Sequence, residues 1–191
     1  MNVPAGFIPI ADSQPQYAFQ QVKSHLLDSG LVEAINYAFI HADMPRRLRM
    51  AQQQSIPIQN PLNEDFSVLR TSLLPSLLVN AQRNYSHQVT DIRLFEIAKV
   101  FWLPADQIDL STQQLPVEQP HVAGVMVGNF GTGWYGAAKR PIDFYDLKGV
   151  VEGLLDASGV TGYEMKSPAL LTFHPARCAV LCQNNASFGV L

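Results

Sequence analysis

Positive charge is in short supply in this sequence: 13 Lys and Arg stand against 16 Asp and Glu across 191 residues, giving a formal net charge of −3. Holding a nucleic acid by phosphate neutralisation needs clustered Lys and Arg, and the sequence offers one such cluster, Arg46-Arg47-Leu48-Arg49. That cluster reads as a solvated loop after Pro45 or as a contact to RNA, and the acidic balance of the chain weighs against the second. Cysteine is almost missing, with two residues. Cys178 and Cys182 stand in a segment that reads as a strand, so at ~3.3 Å per residue their Cα atoms lie about 13 Å apart, beyond the ~7 Å a disulfide tolerates. Two free thiols suit a reducing cytoplasm. No apolar run approaches the roughly 20 residues of a membrane span. The start Met1-Asn2-Val3-Pro4 has neither the basic nor the apolar region of a signal peptide. Together these absences predict a soluble, cytoplasmic protein.

Catalytic spacing is lacking as well. His25, His41, His87 and His121 make no His-Glu-x-x-His pair and no partnership with cysteine, so no metal site is expected. His174 precedes Pro175 and lies near Arg177, but no nucleophile accompanies it, and a structural role is expected. The glycine-rich run from Gly128 to Trp134 lacks the Gly-Lys-Ser/Thr of a phosphate loop and the strand-to-helix context of a dinucleotide fingerprint.

What is present describes a packed chain. Hydrophobic residues at 47% and charged residues at 15% sit in the globular range, and the length suffices for one substantial core. Residues 1–15, with Pro4, Pro9 and Pro15 around Gly6, read as an extended lead-in from an upstream domain. From Tyr17 to Ser29 the positions Phe19, Val22, Leu26 and Leu27 approach helical spacing, closed by Gly30. Glu33 to Ile40 alternates around Ile35, Tyr37 and Phe39 and predicts a strand. His41 to Ser55 shows no clear period and is left open as a short helix or loop. Pro75 suits the first turn of a helix capped by Thr71 or Ser72. In that helix Leu73, Leu74, Leu77, Leu78 and Ala81 make a wide apolar stripe reaching about Tyr85. One face of such a stripe meets the core, leaving Asn80, Arg83, Asn84 and Tyr85 as a candidate subunit surface.

Asp91 to Phe101 reads as a strand covered on both faces, which makes Glu96 conspicuous. A buried carboxylate needs a partner, and Arg70 or Arg177 can supply it; a remnant of substrate binding and an acid–base role are the other readings. Leu103 to Pro120 reads as an exposed connection between antiparallel strands, the second being His121 to Gly128. Asp143 caps a further helix, with Asp146 near its positive end and Leu147, Val150, Val151, Leu154 and Leu155 on its buried stripe. Asp143, Asp146 and Lys148 could instead form a catalytic cluster, but capping and surface pairing explain them without substrate. Gln183-Asn184-Asn185-Ala186 is a plausible hairpin turn. Read together, the elements predict an α+β fold with a predominantly antiparallel sheet flanked by helices.

Four blocks in order then resemble one family, the phenylalanyl-tRNA synthetase β chain. The first runs from Asn60-Pro61 through Ser67-Val68-Leu69-Arg70-Thr71-Ser72-Leu73-Leu74-Pro75, with Ser76 where the family usually has glycine. The second is Leu94-Phe95-Glu96-Ile97-Ala98-Lys99-Val100-Phe101, the third Asp143-Phe144-Tyr145-Asp146-Leu147-Lys148-Gly149, and the fourth Phe173-His174-Pro175-Ala176-Arg177-Cys178-Ala179. Ala176 and Cys178 depart from the glycine and serine of the family pattern. The resemblance implies a class II synthetase-like core over residues 16–191, stopping before an anticodon-binding domain. It implies a non-catalytic module that scaffolds assembly with a catalytic α chain, in a ligase that uses ATP and magnesium to charge tRNA with phenylalanine. No cofactor, metal or catalytic residue is implied within this chain, because the Phe/Tyr-Arg-x-Glu and Gly-x-Gly-x-x-Arg contexts of class II active sites are missing. A tRNA contact at Arg46, Arg47 and Arg49 and self-association of the chain stay open. The alternatives are a free-standing class II-like enzyme that activates a carboxylate with ATP, which would need those arginines, and an RNA-binding module, which would need a basic aromatic groove.

Overall fold

The computed structural model describes residues 14–50, 55–103, 115–130, 139–167, 170, 172–174 and 176–191. The predicted lead-in as far as residue 13, most of the predicted connection (residues 104–114), the glycine-rich run beyond Phe130 and Pro175 lie outside them, whereas residues 14 and 15, read as lead-in, belong to a helix. Helix α1 (Gln14–Asp28) starts three residues before the spacing predicted and ends where Gly30 adopts φ +81°. That left-handed conformation closes the helix at little cost to glycine.

The predicted strand from Glu33 to Ile40 breaks into two short pieces, β1 (Val32–Glu33) and β2 (Phe39–Ile40). Alternation misled here: Ile35 and Tyr37 are 90% and 71% exposed. After the Ala34 N–H bonds the Phe95 carbonyl at 2.7 Å, Asn36 turns inward and gives its own N–H and carboxamide to Glu96. Polar satisfaction of a buried carboxylate thus decides the path of the chain. The segment left open forms a four-residue helix, α2 (Met44–Arg47). A 3₁₀ turn (Glu64–Phe66) leads into β3 (Val68–Leu69), which pairs antiparallel with β2.

Helix α3 (Leu74–Ser86) follows. Its capping position is Leu73, which offers no side-chain acceptor, and Pro75 sits in its first turn. Ser72 Oγ accepts the Leu74 N–H at 3.2 Å from one residue upstream, so the serine serves the helix start without occupying the cap. Leu73, Pro75, Leu77 and Ala81 are buried, as the apolar stripe requires.

The long element is a hairpin of β4 (Ile92–Trp102) and β5 (Val117–Val127), in antiparallel register from Ile92 opposite Val127 to Trp102 opposite Val117. β5 begins four residues earlier than its hydrophobic run suggests, because residues 117–120 are exposed and carry no apolar signal. Pro120, opposite Lys99, is tolerated because β5 is the outer strand of a three-stranded sheet ordered β1-β4-β5. β1 joins β4 in parallel. At the inner end of the hairpin Gly128 holds φ +99°, and a Cβ there would meet the Thr90 carbonyl oxygen at 2.2 Å, so the turn admits glycine alone.

Strands β6 (Asn129–Phe130) and β7 (Arg140–Pro141) pair ahead of helix α4 (Phe144–Ala157). β8 (Glu164–Lys166), β9 (Val180–Gln183) and β10 (Ala186–Val190) form a second antiparallel sheet. The structure therefore divides the expected single sheet into small ones, antiparallel except at β1–β4. Asn184 and Asn185 take φ 51° and 63°, two successive left-handed residues that make the primed hairpin turn the Asn-Asn pair favours. Cys178 and Ala179 precede β9, although Ala179 exchanges backbone hydrogen bonds with Leu191 at 2.7 and 2.9 Å. Both thiols are free, and burial pushes that of Cys178 up.

Helix α4 ties the two packed regions together. Val150 and Leu154 meet Leu26, Leu31 and Phe95 from α1 and the first sheet. Leu147, Val151 and Leu155 meet Ala179, Leu181 and Leu191 at the second. Among the described residues, no helix is long and apolar enough to cross a membrane.

Candidate functional site

Arg70 and Glu96 are buried charged side chains, 3% and 2% exposed. The backbone of Arg70 is clamped from both sides, its N–H to the Ala38 carbonyl and its carbonyl to the Phe101 N–H, each at 2.9 Å. This fixes the direction of its side chain. Guanidinium Nη1 reaches Glu96 Oε1 at 2.7 Å, and Nε donates to the Lys99 carbonyl at 3.0 Å. The expected ion pair thus forms with Arg70 and not Arg177, which is exposed beside β9.

Asn36 completes the group. Its Nδ2 donates to Glu96 Oε2 at 2.8 Å, and its Oδ1 accepts from Asn80 Nδ2 at 2.9 Å. Asn84 Nδ2 then donates to the Asn80 carbonyl at 2.8 Å. A chain of hydrogen bonds therefore runs from the buried ion pair to α3. Sequence reasoning missed Asn36; the one signal available was a polar side chain interrupting the alternation of Ile35 and Tyr37.

The outward stripe of α3 carries the residues singled out as a subunit surface. Asn80, Arg83 and Asn84, with His87, line a cavity of about 410 Å³. Tyr85 is not among the lining residues and is 61% exposed, and Val79 on the same helix is 48% exposed. The Arg83 guanidinium has no acceptor among the described residues. His87 Nδ1 lies 2.7 Å from the Arg83 carbonyl.

The remaining family-motif residues scatter around this centre. Asn60 and Pro61 are exposed in a bend, Thr71 is 8% exposed beneath α3, and Phe95 is fully buried. Asp143 caps α4 through the N–H groups of Tyr145 and Asp146 at 2.8 and 3.2 Å, while Asp146 Oδ2 accepts the Asp143 N–H at 3.0 Å. Asp146 is also clasped by Arg140, at 2.7 Å from Nη1. That guanidinium first, then the Asp143 N–H, lowers the Asp146 carboxyl to about 2. Lys148 pairs with Glu152 one turn on at 3.1 Å. Gly149 is exposed, with nothing near the position of a Cβ. Capping of the helix, the clasp by Arg140 from β7 and the Lys148–Glu152 pair account for Asp143, Asp146 and Lys148 without a substrate. His174 is exposed and accepts the Ala176 N–H on Nδ1 at 3.2 Å. Arg46 lies 3.4 Å from Asp43, and Arg47 and Arg49 are exposed. Among the described residues no group of three or more His, Cys, Asp or Glu could hold a metal ion.

This architecture is shared with a solved synthetase. Pyrrolysyl-tRNA synthetase from Desulfitobacterium hafniense superposes with a TM-score of 0.61 over 91% of this chain and 56% of that one, at 15% identity. A second structure of that enzyme gives 0.59 over 90% of this chain and 56% of that one, at 12% identity. At the sequence level, the family described as phenylalanyl tRNA synthetase beta chain CLM domain matches residues 2–191, and the chain belongs to that family. The phenylalanine–tRNA ligase beta subunit of Geobacter metallireducens is 35% identical over 90% of this chain and 22% of its own length. That of Syntrophotalea carbinolica is 32% identical over all of this chain and 24% of its own. The chain thus spans about a fifth to a quarter of the relatives it matches.

Proposed function

We propose that this chain is the class II synthetase-like core of a phenylalanine–tRNA ligase β subunit, a module that contributes no chemistry and scaffolds the assembly with the α chain. ATP, magnesium and phenylalanine are handled by that partner, and tRNA by the complex. The outward stripe of α3 carries the proposal: its opposite face is fully used by the core, while Arg83 stands exposed without a counter-charge among the described residues. Family membership supports the same reading. The interior supports it too. Stabilising a transferred phosphate needs cationic groups aimed into an open site, yet Arg70, in the first motif, is buried and spent on Glu96.

Pyrophosphate exchange with purified chain tests the catalytic half of the proposal. Phenylalanine-dependent exchange should stay at background, and return only when α chain is added. Exchange by the chain alone would make it an enzyme in its own right.

A further inference from the structure

We infer that the cavity on the outward face of α3 is a seat for a carboxamide side chain of the partner, and that the buried Arg70–Glu96 pair sets its hydrogen-bonding polarity. The inference deepens the partner reading of α3 and rests on it. A carboxylate can only accept, so Asn36 has to turn Nδ2 towards Glu96 Oε2 and its Oδ1 the other way. That oxygen can also only accept, so Asn80 has to turn Nδ2 towards it. Each amide orientation is dictated by the one before, which leaves Asn80 Oδ1 as an acceptor with no donor among the described residues.

The rest of the wall has the same character. Asn84 spends Nδ2 on the Asn80 carbonyl and keeps Oδ1. His87 spends Nδ1 on the Arg83 carbonyl, which fixes that nitrogen as the donor and leaves Nε2 outward. Among the described residues the charged donor lining the cavity is the Arg83 guanidinium. These four residues are spaced at three, four and seven along one helical stripe, so a side chain entering from a partner meets them together. A partner carboxylate would satisfy Arg83 and oppose the two amide oxygens; an ammonium would do the reverse. A carboxamide matches both, its carbonyl accepting from Arg83 and its NH₂ donating to Asn80 and Asn84.

Two measurements test this. In the 191-residue chain, hydrogen exchange of the Asn80 side-chain NH₂ should be at least ~10-fold slower than that of the exposed Asn185; equal rates would overturn the relay. In titrations with α chain below the melting temperatures, Asn80→Ala should weaken binding by ~10-fold, about the worth of one hydrogen bond. Arg83→Gln keeps a donor for the partner's carbonyl without the charge and should stay within ~3-fold of the parent. A loss for Arg83→Gln as large as for Asn80→Ala would mean that the partner presents a carboxylate to the guanidinium, and no loss for Asn80→Ala would empty the cavity; both overturn the seat while leaving α3 a partner surface. Failure of the parent chain to bind α would overturn that surface and the seat with it.

Discussion

Taking the charges of Arg70 and Glu96 out of water costs several kcal/mol each on the order of general estimates, and their attraction offsets that only if the remaining polar atoms are also satisfied. Here they are: Arg70 reaches the carbonyls of Lys99 and Tyr37 as well as Glu96, and Glu96 takes both N–H groups of Asn36. Removing one partner is therefore expected to be severe. Arg70→Met should cost ~3–5 kcal/mol, lowering the melting temperature by at least ~6 °C for a chain of this size, and adding Glu96→Gln should recover part of the loss. A calorimetric scan in which Arg70→Met melts with the parent would show the pair to be unimportant. Need and scarcity made Glu96 legible in the sequence, since a carboxylate amid apolar neighbours requires a cation. Which cation was not legible: Arg70 and Arg177 carry the same charge, and the backbone bonds that hold Arg70 between Ala38 and Phe101 decide which of them is brought to it.

At the scale of elements, α1, α3 and α4 followed from apolar stripes that each face the core, and β4 followed from a run covered on both faces, with Phe95 buried on one and Ile92, Glu96 and Val100 on the other. Their ends followed where local chemistry sets them, as at Gly30, Asp143 and the Asn184-Asn185 turn. Strand boundaries set by partners did not follow. The exposed start of β5 is a strand because β4 lies beside it, and the Ile35–Tyr37 stretch is not one because Glu96 claims Asn36. The capping box of α4 gives a pH signature of its own. Asp146 is held at about 2 against an ordinary 3.8, so it binds a proton more weakly in the folded chain than in the unfolded one. Its stabilising contribution is complete above pH ~4 and is lost as the pH falls through about 2. Acid titration of the parent should show stability falling across that window. Asp146→Asn should be less stable at neutral pH and show a shallower fall; an unchanged profile would place the acid sensitivity elsewhere.

At the scale of the molecule, the helices and the antiparallel bias were readable, whereas the division into small sheets was not, because sheet membership depends on which strands meet across long separations. The synthetase-like architecture nevertheless places Arg83 on an outward surface whose inner face is committed to the core. A rim charge acts on recognition more than on folding, and an exposed substitution away from packed contacts moves stability by only about 0.5 kcal/mol. The direct measurement is a calorimetric titration of α chain into the parent and into Arg83→Glu, with melting curves of both. The parent should bind, and charge reversal should weaken binding by ~10-fold or more, about 1.4 kcal/mol, with little change in melting temperature. Equal binding by the two proteins, or unfolding of the variant in place of a binding defect, would contradict a partner surface on α3.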